Sequence, residues 1–194
     1  MATLTDLARR LKLPLVALTD ERRGGDPLAL AARLPRGSTL IFRHYDAPDR
    51  SVLAIRISII CRKNRLNLMV AGNLTLAIAA RAGLHLPDGM AATASARIRL
   101  WQRRSGTLTV AAHDRSGLRR AAKLRAKAAL LSPLFPTKSH PGVKPLGLQA
   151  FRRLAQGANL PVIALGGITR TNVLQLKDAP IAGVAAVGAL DGQK

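Results

Sequence analysis

Pro161-Val-Ile-Ala-Leu-Gly-Gly-Ile168, followed by Thr169-Arg-Thr171, holds a strand, a tight turn and a helix start in consecutive residues. Val162–Leu165 is apolar without a polar residue at every second position, the signature of a strand buried on both faces. The paired glycines Gly166 and Gly167 end it, and Thr171 opens the next segment. The same grammar recurs outward in both directions. Strands are predicted over 13–18, 39–43, 66–70, 84–86, 107–112, 128–131, 162–165 and 184–187. Helical spacing is predicted over 26–34, 51–63, 73–81, 116–127, 148–156 and 171–176. Asp26, Ser51, Asn73, Ser116 and Thr171 stand near the helix starts, where a side-chain oxygen accepts a free backbone N–H.

Doubly buried strands separated by helices pair in parallel, because hairpins need only short turns. Eight such runs is the count of a closed (β/α)8 TIM barrel, here compact and with abbreviated helices, since barrels typically have about 250 residues. An open nucleotide-binding sheet is disfavoured: the first strand ends in Thr19-Asp20-Glu21-Arg22, without a glycine-rich fingerprint. Residues 1–194 are read as one domain. Only Asp191–Lys194 follow the last strand, so a homodimer is expected to cover the patch that a missing closing helix leaves.

The chain carries 31 Lys plus Arg against 10 Asp plus Glu, a formal net charge of +21, and is 48% hydrophobic. The apolar content excludes disorder of the whole chain. The basic residues come as scattered pairs such as Arg62-Lys63 and Arg119-Arg120, and aromatics make up 3%. That pattern argues against a nucleic-acid partner, which calls for a basic stripe with interleaved aromatics. No apolar run nears the roughly 18 residues of a membrane span, and the N-terminus lacks a secretory centre, so a soluble, cytoplasmic protein is expected. One cysteine, Cys61, excludes an internal disulfide and multi-cysteine zinc sites.

Strand ends at the C-terminal face carry the site in a parallel barrel. His44, His85, His113 and His140 all fall there, with Asp20, Glu21, Asp46, Asp88, Asp114 and Asp191. No HExxH or other close metal-ligand spacing appears among them. Ser132-Pro-Leu-Phe-Pro-Thr-Lys-Ser-His-Pro-Gly142 directly follows the sixth strand and packs hydroxyls, Lys138 and His140 between prolines, as an anion-binding lid would. Gly166-Gly167 and Ala186-Val-Gly-Ala189 form the two halves of a phosphate cradle after strands seven and eight. A phosphorylated small molecule is therefore the expected partner.

The order of these motifs resembles the thiamine phosphate synthase and thiazole tautomerase family of (β/α)8 barrels. The resemblance runs through Leu15-Val-Ala-Leu-Thr-Asp20, Phe42-Arg43, Gly83-Leu-His-Leu86, Val110-Ala-Ala-His113, Ser132-Pro-Leu-Phe-Pro-Thr137, Pro161–Ile168 and Gly183-Val-Ala-Ala-Val187. It implies the coupling of a pyrimidine diphosphate to a thiazole phosphate with release of pyrophosphate and help from Mg2+. On the thiazole phosphate side it implies Ser132, Thr137, Lys138, Ser139, Gly166, Gly167, Val187 and Gly188. For the chemistry it implies Arg43, His113 and His140, the last in place of a lid lysine. On the diphosphate side the family's pattern breaks. Its glutamine and lysine are here Ile41 and Tyr45, its asparagine-aspartate pair falls on Val70-Ala71 or Ala71-Gly72, its other magnesium aspartate falls near Met90, and its fifth-strand serine is Ala111. Asp88, two residues from Met90, is the candidate metal ligand. A thiazole phosphate tautomerase using His113, or a silent binder of a phosphate ligand, are the alternatives.

Overall fold

The computed structural model describes residues 2–21, 25–104, 106–137 and 142–187. Each apolar run forms a strand: β1 (Leu15–Leu18), β2 (Thr39–Phe42), β3 (Asn67–Ala71), β4 (Gly83–Leu86), β5 (Leu108–Ala112), β6 (Ala128–Leu131), β7 (Val162–Leu165) and β8 (Gly183–Val187). All neighbours pair in parallel, and β8 returns to β1 in the register Leu15↔Val184 to Leu18↔Val187, closing the barrel. Side chains alternate between two cores. Val16, Leu18, Ile41, Met69, Ala71, Leu130 and Ala185 meet inside the barrel. Leu40, Phe42, Val70, Leu84, Val110, Leu131 and Val184 face outward into the larger core under the helices.

The helices are short, as expected: α2 (Pro27–Arg33), α3 (Arg50–Lys63), α4 (Leu74–Ala79), α7 (Arg115–Lys123) and α8 (Leu148–Gln156), with a single 3-10 turn at Val173–Leu176. Three more were not expected: α1 (Leu4–Arg10), α5 (Asp88–Ala92) and α6 (Ala96–Arg103). α1 is set by a capping box, in which Thr3 Oγ1 accepts from Asp6 N and the Asp6 carboxylate accepts from Thr3 N, both at 3.1 Å. Its buried Leu4, Leu7 and Ala8 pack beside the 3-10 turn. Asp26, Asn73 and Asp114 cap α2, α4 and α7. Ser51 and Ser116 instead lie within the first turns, and Asn172 rather than Thr171 precedes the 3-10 turn.

Part of the positive charge has a place in this architecture. Lys12, Arg65, Arg81 and Arg125, at φ of 51–55°, stand two residues beyond the ends of α1, α3, α4 and α7. There the chain turns left-handed to satisfy the last helical carbonyls, as in Leu66 N→Cys61 O and Ala126 N→Ala121 O. Glycine is customary at such a position; a cation costs about 1 kcal/mol of strain but meets the negative end of the helix dipole.

Candidate active site

Two halves make up the barrel mouth, and they are built differently. On the β6–β8 side, main chain is stitched to main chain. Leu134 N donates to Leu165 O at 2.9 Å and Phe135 N to Gly166 O at 3.0 Å, laying the loop after β6 on the end of β7. Leu146 N→Pro133 O and Gly147 N→Leu134 O, at 2.9 and 3.1 Å, clamp the far end of the same loop. Gly166 and Gly167 have φ of 97° and 65°. A Cβ on Gly166 would lie 2.8 Å from Pro133 Cα, and one on Gly167 would collide with the carbonyls of Phe135 and Pro136. The glycines therefore admit the neighbouring loop, a need that the sequence reading assigned to a phosphate alone. Asn172 braces the turn: its Nδ2 donates to Gly167 O and its Oδ1 accepts from Thr169 N, both at 2.9 Å.

These contacts bring Ser132 and Thr137 to the same edge as Gly166 and Gly167. Val187 ends β8 beside Leu18 on the inner face. Lys138, Ser139, His140, Gly188 and Asp191 lie outside the described residues. His113, exposed just past β5, joins this half: its Nδ1 is 2.8 Å from Ser132 O and 3.4 Å from Ser132 Oγ. A carbonyl can only accept, so Nδ1 carries a proton, and the neutral tautomer consistent with this contact has its lone pair on Nε2.

The described histidines do not converge. His44 lies on the same side of β2 as Phe42, stacked on that ring at 5.3 Å, with Nδ1 2.9 Å from Thr19 Oγ1. Burial pushes its pKa down. His85 sits inside the barrel with Nδ1 2.9 Å from Thr109 Oγ1, and desolvation, aided by the Arg43 charge, pushes its pKa down to about 3. Strand alternation explains the split: a strand-end residue faces the mouth only when its parity does.

On the β2–β4 side the mouth is closed by side chains. Arg43 is anchored through its own N–H to Thr19 Oγ1 at 2.8 Å, and its Nη2 stands 3.9 Å from Asp20 Oδ2. Tyr45 shares a hydrogen bond with Arg43, and burial raises its pKa. Met90 Sδ and Tyr45 Cε1 close over Gly72, 3.3 and 3.4 Å from where a Cβ would be. Arg50, the first residue of α3, reaches over this group and donates from Nη2 to Ala71 O at 2.6 Å. No local pattern marked Arg50 in the sequence; only the fold carries it back to the end of β3.

The residues present here do not fit a magnesium ion. A hard divalent cation needs several oxygen ligands, and positions 71, 72 and 90 offer Ala, Gly and Met side chains. Asp88, the candidate metal ligand, is engaged by Arg120 Nη2 at 2.6 Å. Among the described residues, no group of three or more His, Cys, Asp or Glu side chains is placed to hold a metal. Nor is any described helix long and apolar enough to cross a membrane.

A family model described as thiamine monophosphate synthase matches residues 15–190. A putative thiamine-phosphate synthase 2 of Aquifex aeolicus is 32% identical over 168 residues, covering 82% of this chain and 88% of that protein. A thiamine-phosphate synthase of Prochlorococcus marinus is 29% identical over 181 residues, covering 91% of this chain and 50% of that longer protein. Among solved structures, a thiamine phosphate pyrophosphorylase from Pyrococcus furiosus superposes with a TM-score of 0.74 at 21% identity, covering 92% and 87% of the two chains. That likeness extends the shared barrel to nearly the whole chain.

Proposed function

The chain belongs to the thiamine monophosphate synthase family, and from that premise we propose that it is a transferase of thiamine biosynthesis coupling a pyrimidine diphosphate to a thiazole phosphate. In that reaction the bond between the pyrimidine methylene carbon and the diphosphate oxygen breaks, and its electron pair leaves with pyrophosphate. The thiazole nitrogen lone pair then forms the new C–N bond. The observation that carries this reading is the stitched β6–β7 edge, where Ser132, Thr137 and the Gly166-Gly167 turn are held together as a phosphate cradle needs, within the span that the family model matches.

The thiazole phosphate is assigned to that edge, with Lys138, Ser139 and Gly188 completing it and Val187 walling the ring. Arg43 meets the departing diphosphate, whose developing charge a fixed guanidinium stabilises. His113, oriented by the Ser132 carbonyl, offers Nε2 to a substrate N–H, and His140 covers the site from the lid. Magnesium is implied by the family, and the donor set does not fit it. The chain is proposed to work as one domain, in a cytoplasmic homodimer.

Purified protein mixed with both substrates should release pyrophosphate in proportion to product. Absence of release at high enzyme concentration, in a protein that the thiazole phosphate nevertheless stabilises against heat, would reduce the reading to binding alone.

A further inference from the structure

Arg50 is held more firmly than a solvated surface arginine. Its guanidinium carbon lies 6.0 Å from the Phe42 ring centroid and 5.2 Å from that of Tyr45, within the range of cation–π attraction. Nη2 is spent on the Ala71 carbonyl, while Nε is buried without a hydrogen-bond partner. Tyr45 links this cation to Arg43, to which it is hydrogen-bonded. Two guanidinium groups thus flank one phenol ring. Asp20 stands 3.9 Å from Arg43, and Glu21 and Asp49 lie close enough to act, with Arg50, on the neighbouring His44. Asp88 is paired with Arg120. Neither guanidinium can lose its proton, so both stay positively charged at every working pH. Both side chains are half-buried, so water screens their charge only in part, and a divalent cation beside them would meet repulsion where an anion meets attraction.

We infer that the β2–β4 half of the mouth is a metal-independent anion site in which Arg50 and Arg43 together take a diphosphate group. The planar fork of Arg43 suits the paired oxygens of a phosphoryl group, and Arg50 adds its Nη1 side, the edge not taken by the Ala71 carbonyl. The two rings and the Ala71 carbonyl hold Arg50 in its binding conformation before the ligand arrives, which lowers the ordering cost. This inference rests on the synthase reading for its ligand class and departs from the family in the means of charge balance.

Calorimetric titration of the whole protein with inorganic pyrophosphate tests it, once in EDTA and once with Mg2+. The expected result is saturable binding in EDTA with a Kd within about threefold of that in Mg2+. Arg50→Met should weaken pyrophosphate at least about tenfold, and Arg50→Lys should recover part of the loss. Inorganic phosphate, which the β6–β8 edge can take, should bind both variants as it binds the parent. Binding seen only with Mg2+ would overturn the inference and leave the synthase reading standing. Unchanged pyrophosphate affinity in both variants would also overturn it, as would simultaneous loss of both ligands, which would assign Arg50 to the fold. Failure of the substrate pair to release pyrophosphate, with metal-free binding intact, would strike the synthase reading alone.

Discussion

The β6–β8 edge of the mouth is held by backbone, and the β2–β4 edge by side chains. On the first, loops meet through main-chain hydrogen bonds and through glycines that leave no room for a Cβ. On the second, Tyr45, Met90 and Arg50 fill the place where the resemblance puts magnesium ligands. Backbone packing tolerates little substitution, because every neighbour must move with it. A rim of long side chains can exchange its chemistry without disturbing the barrel. The contrast shows how one barrel mouth combines a backbone-stitched edge with a rim of exchangeable side chains.

The sharpest way to break this contrast is a methyl group on each edge. Gly167→Ala adds left-handed strain to a collision with two carbonyls, and should cost about 3 kcal/mol or more. In a barrel of this size that lowers the melting temperature by about 6–12 °C. Gly72→Ala, at φ of 69°, meets the flexible Met90 thioether and should cost about 1 kcal/mol. Equal melting shifts for the two variants would erase the distinction.

Acid should strain the interior of the β4 side. Below pH about 6.5 the unfolded chain protonates His85, whereas the folded ring stays neutral down to about pH 3, so stability falls with pH across that window. At pH 5 the deficit is about 2 kcal/mol. His85→Gln should therefore lose less melting temperature than the parent between pH 7.5 and 5. A parallel pH profile would show that His85 titrates normally.

Ligand affinity sharpens the same comparison. Thr137→Val should raise the Kd for inorganic phosphate about tenfold, the value of one hydrogen bond to a charged group. Met90→Leu, across the mouth, should leave it within about twofold. Equal weakening in a titration would mean that phosphate does not choose the β6–β8 edge. The smallest expected effect lies between the halves, at the cap of α7 behind His113. Asp114→Ala removes the acceptor for Gly117 N and should cost about 1 kcal/mol, or about 2–4 °C in a melt.

Much of the barrel was legible because its signal is local. Seven of the predicted strands deviate from the observed ones by at most a residue or so at each end, and 13–18 by two. Continuous Val, Ile and Leu runs need no distant information to be read as doubly buried strands. The unexpected helices had weaker signals: α5 is Asp-Gly-Met-Ala-Ala, whose small residues mark no face, and α1 precedes the first strand. Of the site, the glycine pair and the Ser132–Thr137 loop were legible as motifs. Their mutual contact was not, since Gly167 meets Phe135 and Pro136 across 32 and 31 positions of chain.

Taken by itself, the sequence determined that eight doubly buried strands alternate with helices and that both phosphate-cradle motifs follow the later strands. Those are properties of composition and spacing, which neighbouring residues express on their own; that the family's magnesium acids are replaced after the third and fourth strands followed from the resemblance. The tertiary structure alone decided which of the described histidines reaches the mouth, that Asp88 pairs with Arg120, and that Arg50 occupies the end of β3. Each depends on which face a side chain takes and on what another strand or helix brings opposite it, and closure of the barrel sets both.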